Sequence, residues 1–506
     1  MAPTADRDPG DRFSPSFSSS DRSSPHSSPQ SSPGALHDDA APGTRACVDA
    51  DPRRAAPGTA VDRRTLRTQV VSFAAWDGGM SAFSSVILTF VFATYVASAV
   101  AAEGAVGEEA IKAAQDHGSQ VLTTWQSIGA VAVALLAPLL GNLADSGGAR
   151  NALLRITTLA TVVVIALMPM VALDSDFLIL GAVLIALAVV FSELAGVFVN
   201  SVLPEISTPA NRGRVSGTAW AVGYWGSIVC LALVLVLFVM PGTGLLGVTG
   251  DDGWNLRAIP VFVAIWILVG TLPLMIWAPR HHARAPGARW NPVQGYVSIA
   301  RHVKRAFREE PAMLLYLVAS AIYRDGLGAV FSIAGVLAAN AYGFSTVEVI
   351  IFGIVANLVA GIGVFMGGRI DDRVGPRPVI IGGCIGIIVL GLVVLAFGST
   401  AVFWVAGLAI CLFVGPVQSA SRNLLTRLSR PGRETENFGL YATTGRALGF
   451  LGTGAFALTV WITGDTRTGI LGIVLVMALG LLAFFPIPLG AAGRAAKADG
   501  TPASAG

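Results

Sequence analysis

Twelve apolar runs, each long enough to cross a bilayer, constrain what this 506-residue chain can fold into. They fall at about 70–100, 120–143, 152–173, 177–202, 214–240, 257–278, 312–339, 346–367, 378–397, 400–424, 437–462 and 468–489. A helix needs roughly 20 apolar residues to traverse a hydrocarbon core. Lipid offers the backbone no hydrogen bonds, so runs of this length are expected as helices whose amides pair internally. The expected fold class is an all-α membrane protein. With 53% hydrophobic and 13% charged residues, the chain is far more apolar than a soluble protein of this length.

Charge between the runs sets an orientation. The connectors after runs two, four, six, eight and ten carry Arg150, Arg212, Arg214, Arg280, Arg284, Arg289, Arg301, Lys304, Arg305, Arg308, Arg369, Arg373, Arg377, Arg427, Arg430 and Arg433. The opposite connectors hold only Lys112, Arg257 and Arg467, beside acids that include Glu103, Glu108, Glu109, Asp174, Asp251 and Asp252. The excess of positive charge on one side predicts that both termini are cytoplasmic. The longest connector divides the chain into two groups of six. This gives five expected regions: a disordered cytoplasmic tail at 1–60, a six-helix bundle at 64–278, a cytoplasmic amphipathic linker at 279–310, a second six-helix bundle at 311–490 and a tail at 491–506. In the linker, Val293, Val297, Ala300, Val303 and Phe307 recur at helical spacing opposite Arg301, Lys304, Arg305 and Arg308, which predicts a helix lying on the inner membrane surface.

Several function classes find no support. A net charge of +3 is too slight to argue for nucleic acid. The four cysteines and six histidines show neither a disulfide framework nor metal-ligand spacing. There is no Ser/His/Asp grouping and no phosphate-cradling loop followed by lysine, so neither an enzyme nor a cofactor is expected.

The two halves repeat each other. Asp77-Gly78 precedes Phe83-Ser84 at the same spacing as Asp325-Gly326 precedes Phe331-Ser332. Each acid lies in an apolar run, where a charge costs about 2.5–3.5 kcal/mol on insertion scales. Gly141, Asp145, Gly148 and Arg150 match Gly368, Asp372, Gly375 and Arg377 as G-x3-D-x2-G-x-R at an offset of 227. Pro209, Gly217 and Gly223 match Pro431, Gly439 and Gly445 at an offset of 222. Such self-similarity predicts two pseudo-symmetric six-helix bundles.

On these residues the chain resembles the major facilitator superfamily over essentially all of 64–490, since the twice-present loop motif is that superfamily's signature. The resemblance implies that Asp145, Arg150, Asp372 and Arg377, with their glycines, form a latch between conformations. Ser146 stands where an arginine is usual, and Arg373 fills that place in the second copy, which implies a weaker first latch. Ala75–Phe83, Val197–Ile206, Arg214–Tyr224, Tyr323–Gly326 and Phe438–Arg446 further resemble the vacuolar-effluxer, autophagy-linked permease branch, although Gly78-Gly79 replaces a common Ala-Asn pair. Fungal members of that branch export amino acids from the vacuole.

Transporters of this kind bind solute at the midplane between their repeats. The intramembrane polar residues are therefore the candidates for solute or proton binding: Asp77, Asp325, Glu193, Arg446, Asn200 and Tyr441, with Gln126, Asn357 and Tyr224 as further hydrogen-bonding groups. Arg446, about ten residues into run eleven, needs an acidic partner, either Asp325 or a solute carboxylate. Arg324 lies ~100° around the helix from Asp325 and need not pair with it. Acids and one arginine together suggest a zwitterion, its ammonium toward Asp77 or Asp325 and its carboxylate toward Arg446. The expected function is a monomeric secondary transporter in a bacterial cytoplasmic membrane, exporting or exchanging small polar solutes such as amino acids, with protons as a coupling ion. A drug-proton antiporter and a non-transporting sensor or scaffold are the alternatives.

Overall fold

A computed structural model of the chain describes residues 54–55, 59–60, 63–240, 247, 253–279 and 292–487. The expectations for the two tails and for 280–291 of the linker lie outside these residues, apart from a two-residue antiparallel strand pair at Arg54–Ala55 and Thr59–Ala60. The remaining described regular structure is helical.

Among the described residues, twelve helices are long and apolar enough to span a membrane. In chain order these spans are Arg64–Val100, Glu108–Gly147, Arg150–Met170, Ser175–Ile206, Arg212–Val239, Trp254–Trp277, Pro311–Gly335, Ile351–Val374, Pro376–Ala396, Thr400–Leu428, Glu434–Thr463 and Thr466–Phe484. Most of their ends lie within a turn or two of the apolar runs. Span 2 is the main exception, starting at Glu108 rather than near residue 120. Its extra turns, Glu-Glu-Ala-Ile-Lys-Ala-Ala-Gln, are polar but strongly helix-forming, and Glu108 and Glu109 suit the positive end of the helix dipole.

The packing of spans 1–6 is repeated in spans 7–12. Span 1 packs on 5 and 6 as span 7 packs on 11 and 12. Span 4 packs on 2 and 3 as span 10 packs on 8 and 9, and the 3–6 contact recurs as 9–12. Between the bundles, span 2 meets span 11 and span 5 meets span 8, again a symmetric pair. With no hydrophobic gain on offer between helices in lipid, close backbone packing holds them together. Gly79 and Gly270 illustrate this. A Cβ on Gly79 would stand 3.0 Å from the Gly270 Cα, so spans 1 and 6 touch backbone to backbone. Gly78 likewise faces Gly226 of span 5.

One local expectation is revised. Run eleven is not one continuous helix: it stops at Ala447 and restarts at Leu451. Gly445, Gly449, Gly452 and Gly454 cluster at this break, where helix propensity is weakest. The linker forms a helix, Pro292–Glu309, in which Ile299 and Ala306 are buried. The apolar stripe members Val293, Val297 and Phe307 stay exposed, facing away from the protein. Tyr296 pins the helix by donating its hydroxyl to the Leu135 carbonyl at 3.0 Å.

Replacing Gly79 with valine should lower the thermal unfolding midpoint of the purified protein, because overpacking a rigid contact typically costs about 1–3 kcal/mol. Gly353, whose Cβ would meet nothing within 4 Å, should accept alanine with little change in the same measurement.

Candidate functional site: a charged chamber between the bundles

A cavity of about 480 Å³ lies between the two halves. Spans 1, 4 and 5 contribute Trp76, Asp77, Ser84, Glu193, Asn200 and Trp220. Spans 7, 10 and 11 contribute Arg324, Asp325, Gly328, Gln418, Tyr441 and Arg446. All six candidate solute or proton residues read from the sequence therefore line one chamber. Gln126 does not belong to it, and Asn357 lines a neighbouring cavity.

Each acid already has a protein partner. Asp77 pairs across the bundles with Arg422 of span 10, Oδ2 to Nη1 at 3.4 Å. Arg422 is almost fully buried and also donates to Asn200 Oδ1 at 3.0 Å, the Ser216 carbonyl at 2.8 Å and Ser216 Oγ at 3.0 Å. One guanidinium of the second bundle thus grips spans 1, 4 and 5 of the first. Beside it, Ser419 Oγ donates to Ser216 Oγ at 2.8 Å, completing a polar floor. Asp325 does something different. Its Oδ2 accepts the backbone N–H of Gly452 at 2.6 Å, capping the restarted helix of span 11. A carboxylate is favoured there by the helix dipole.

Arg446 does not pair with Asp325, whose carboxylate is taken by Gly452. It pairs with Glu193 of span 4, a contact across the chamber in which both side chains keep roughly a third or more of their surface exposed. Sequence reasoning missed this partner because it depends on how two helices from different bundles face each other. It also missed Arg324 as a chamber residue. The Arg324 guanidinium lies 3.7 Å from the Tyr441 ring centroid, and among the described residues its buried Nη1 has no hydrogen-bond partner.

The chamber is closed toward the arginine-rich face by two reciprocal caps. Asp145, at the end of span 2, accepts the backbone N–H groups of Thr435 and Glu436 at 3.3 and 2.8 Å, at the start of span 11. Asp372, at the end of span 8, accepts the Arg214 N–H at 3.2 Å, at the start of span 5. The glycines make this possible. A Cβ on Gly141 would lie 2.5 Å from the Thr435 carbonyl oxygen, and one on Gly368 would lie 2.5 Å from the Gly213 carbonyl oxygen. Gly148 and Gly375 turn the chain at φ +70° and +87°, where side chains are strained.

The motif arginines stay within their own bundles. Arg150 grips Glu205 bidentately at 2.6 and 2.9 Å, and Arg377 donates to the Phe485 carbonyl at 2.8 Å. Arg373 is exposed and shows no ion-pair partner among the described residues. Ser146 donates its hydroxyl to the Asn142 carbonyl at 2.6 Å, within its own helix.

Residues 109–497 match the family described as "Vacuole effluxer Atg22 like". The chain is 23% identical to an uncharacterized MFS-type transporter, YxiO, of Bacillus subtilis (strain 168), covering 82% of this chain and 94% of that one. It is 25% identical to Autophagy-related protein 22 of Cryptococcus neoformans, spanning about half of that relative (52%) and 54% of this chain. Among solved structures, the human organic anion transporter MFSD10 aligns at a TM-score of 0.63 and 14% identity over 83% of this chain and 99% of that one. The transporter FucP in its outward conformation aligns at 0.61 and 13%, over the same shares.

Two outcomes are expected. Arg422→Gln or Asp77→Asn alone leaves a buried charge unpaired, so each should destabilise the protein by about 3–5 kcal/mol, and the double variant should recover much of that loss in thermal unfolding. In a background lacking native cysteines, Ser419→Cys should be protected from an impermeant maleimide. Adding Asp145→Asn and Asp372→Asn should raise its labelling about tenfold, equivalent to ~1.4 kcal/mol of lost closure.

Proposed function

Because the chain belongs to the vacuole-effluxer Atg22-like family and has the major facilitator fold, we propose that it is a secondary transporter that exports or exchanges small polar organic solutes, amino acids among them, by rocking one bundle against the other. The single observation carrying this reading is the chamber, lined by charged groups from both bundles and shut on one face by contacts that a rocking motion can exchange. We place the arginine-rich face in the cytoplasm, since positive charge is retained there. The described conformation is then the one closed to the cytoplasm. Protons are the proposed coupling ion, with the chamber carboxylates as their sites. Moving one charge through 100 mV supplies ~2.3 kcal/mol, enough to drive solute about fiftyfold uphill.

Purified protein reconstituted in liposomes tests this. Counterflow of at least one amino acid in a broad panel is expected, stimulated by an imposed pH difference and reduced about tenfold or more by Arg446→Ala. Flux that ignores the pH difference removes proton coupling. No flux of any solute removes the transport reading.

A further inference from the structure

A second cavity of about 470 Å³ lies beside the chamber, lined mostly by the second bundle with Ser84, Ser85 and Thr89 of span 1. The two share Ser84 and Gly328. Where the chamber is charged, this annex is apolar, walled by Phe331, Ile333, Phe352, Ile387, Val474 and Met477. Its volume is about three times that of the ~150 Å³ cavity that holds one benzene ring. A single amino-acid side chain would leave most of it empty.

No atom crowds Gly328, where the linings of the two spaces meet. A Cβ on Gly328 would meet nothing within 4 Å, and the same holds for Gly353 in the annex wall. Arg324 stands one helical turn before Gly328 on span 7, so the two share a face of that helix. Its Nη1 is the chamber cation without a hydrogen-bond partner among the described residues, because Arg446 is held by Glu193 and Arg422 by Asp77.

Building on the transport reading, we propose that the solute is an amphipathic carboxylate whose apolar part exceeds any single amino-acid side chain. The carboxylate docks on Arg324, and the tail passes beside Gly328 into the annex. An acylated amino acid or a short apolar peptide has this chemistry. Gly328 then acts as a size filter, and Arg324 selects an anionic head by direct hydrogen bonding.

Binding of radiolabelled N-octanoylglycine to the full-length protein in nanodiscs, competed by unlabelled compounds, tests the assignment. N-octanoylglycine should bind at least about tenfold tighter than N-acetylglycine, and octylamine, which has the same tail length and a cationic head, should compete at least tenfold worse. Gly328→Leu and, independently, Gly353→Leu should each shrink the octanoyl-to-acetyl affinity ratio about tenfold, and Arg324→Gln should weaken both glycine derivatives by a similar factor. Octylamine competing as well as N-octanoylglycine overturns the head assignment. A ratio untouched by both leucine variants overturns the tail assignment, the annex then being space that lipid fills. Alanine counterflow in liposomes without N-octanoylglycine binding overturns this inference and leaves transport standing; neither flux nor binding removes both.

Discussion

Each bundle closes the arginine-rich face by extending one carboxylate to a helix N-terminus of the other. The first N–H groups of a helix have no partner within it, so an acid placed there satisfies an obligatory need and meets a favourable dipole. Hydrogen bonds to a charged group are worth about 1.5–3 kcal/mol each. The glycines at 141 and 368 bring the backbones near enough for the acids to reach. A chamber blind on one side follows from this arrangement. These contacts join spans of opposite bundles, 2 to 11 and 8 to 5. The motif arginines, by contrast, tie each loop to its own bundle.

The legible part of this architecture was whatever the repeat made redundant. Twelve spans, two bundles and the paired loops followed from run length and from offsets of 227 and 222. Adding 222 to 214 gives 436, so the Arg214 N–H capped by Asp372 and the Glu436 N–H capped by Asp145 are equivalent positions in the two halves. The same offset links Asn200 to Arg422, which are bonded to each other in the fold. That arithmetic could have exposed Arg422 as a site residue. It escaped notice because it lies at the end of run ten beside the connector arginines, where a positive charge looks like a topology signal.

Side-chain partners were less legible, for a geometric reason. The rotation of one helix against another is fixed by packing across the whole bundle, and no local pattern reports it. Glu193 and Arg446 were each recognised as intramembrane charges, yet their pairing depends on spans 4 and 11 facing each other. The angle separating Arg324 from Asp325 was a sound argument against their pairing. That same angle turns Arg324 over Tyr441 and into the chamber. The break in span 11 was foreshadowed by its glycines, but membrane helices tolerate glycine too often for composition alone to mark a stop.

Symmetry of sequence did not produce symmetry of role. Asp77 holds a cation from the opposite bundle, whereas Asp325 serves the backbone of its own. The chamber lining carries three acids, Asp77, Glu193 and Asp325, and two arginines, Arg324 and Arg446, with Arg422 in contact beneath. Formal charges therefore cancel. Two opposite pairs bridge the bundles. What remains is Asp325, satisfied by a backbone amide, and Arg324, resting on a ring face, one residue apart on span 7. A solute carboxylate reaching Arg324 would tip the balance to a net negative charge, which is costly in a low-dielectric enclosure. A proton taken up on one of the acids would cancel it, and this electrostatic balance is the physical reason to expect proton movement to accompany an anionic solute.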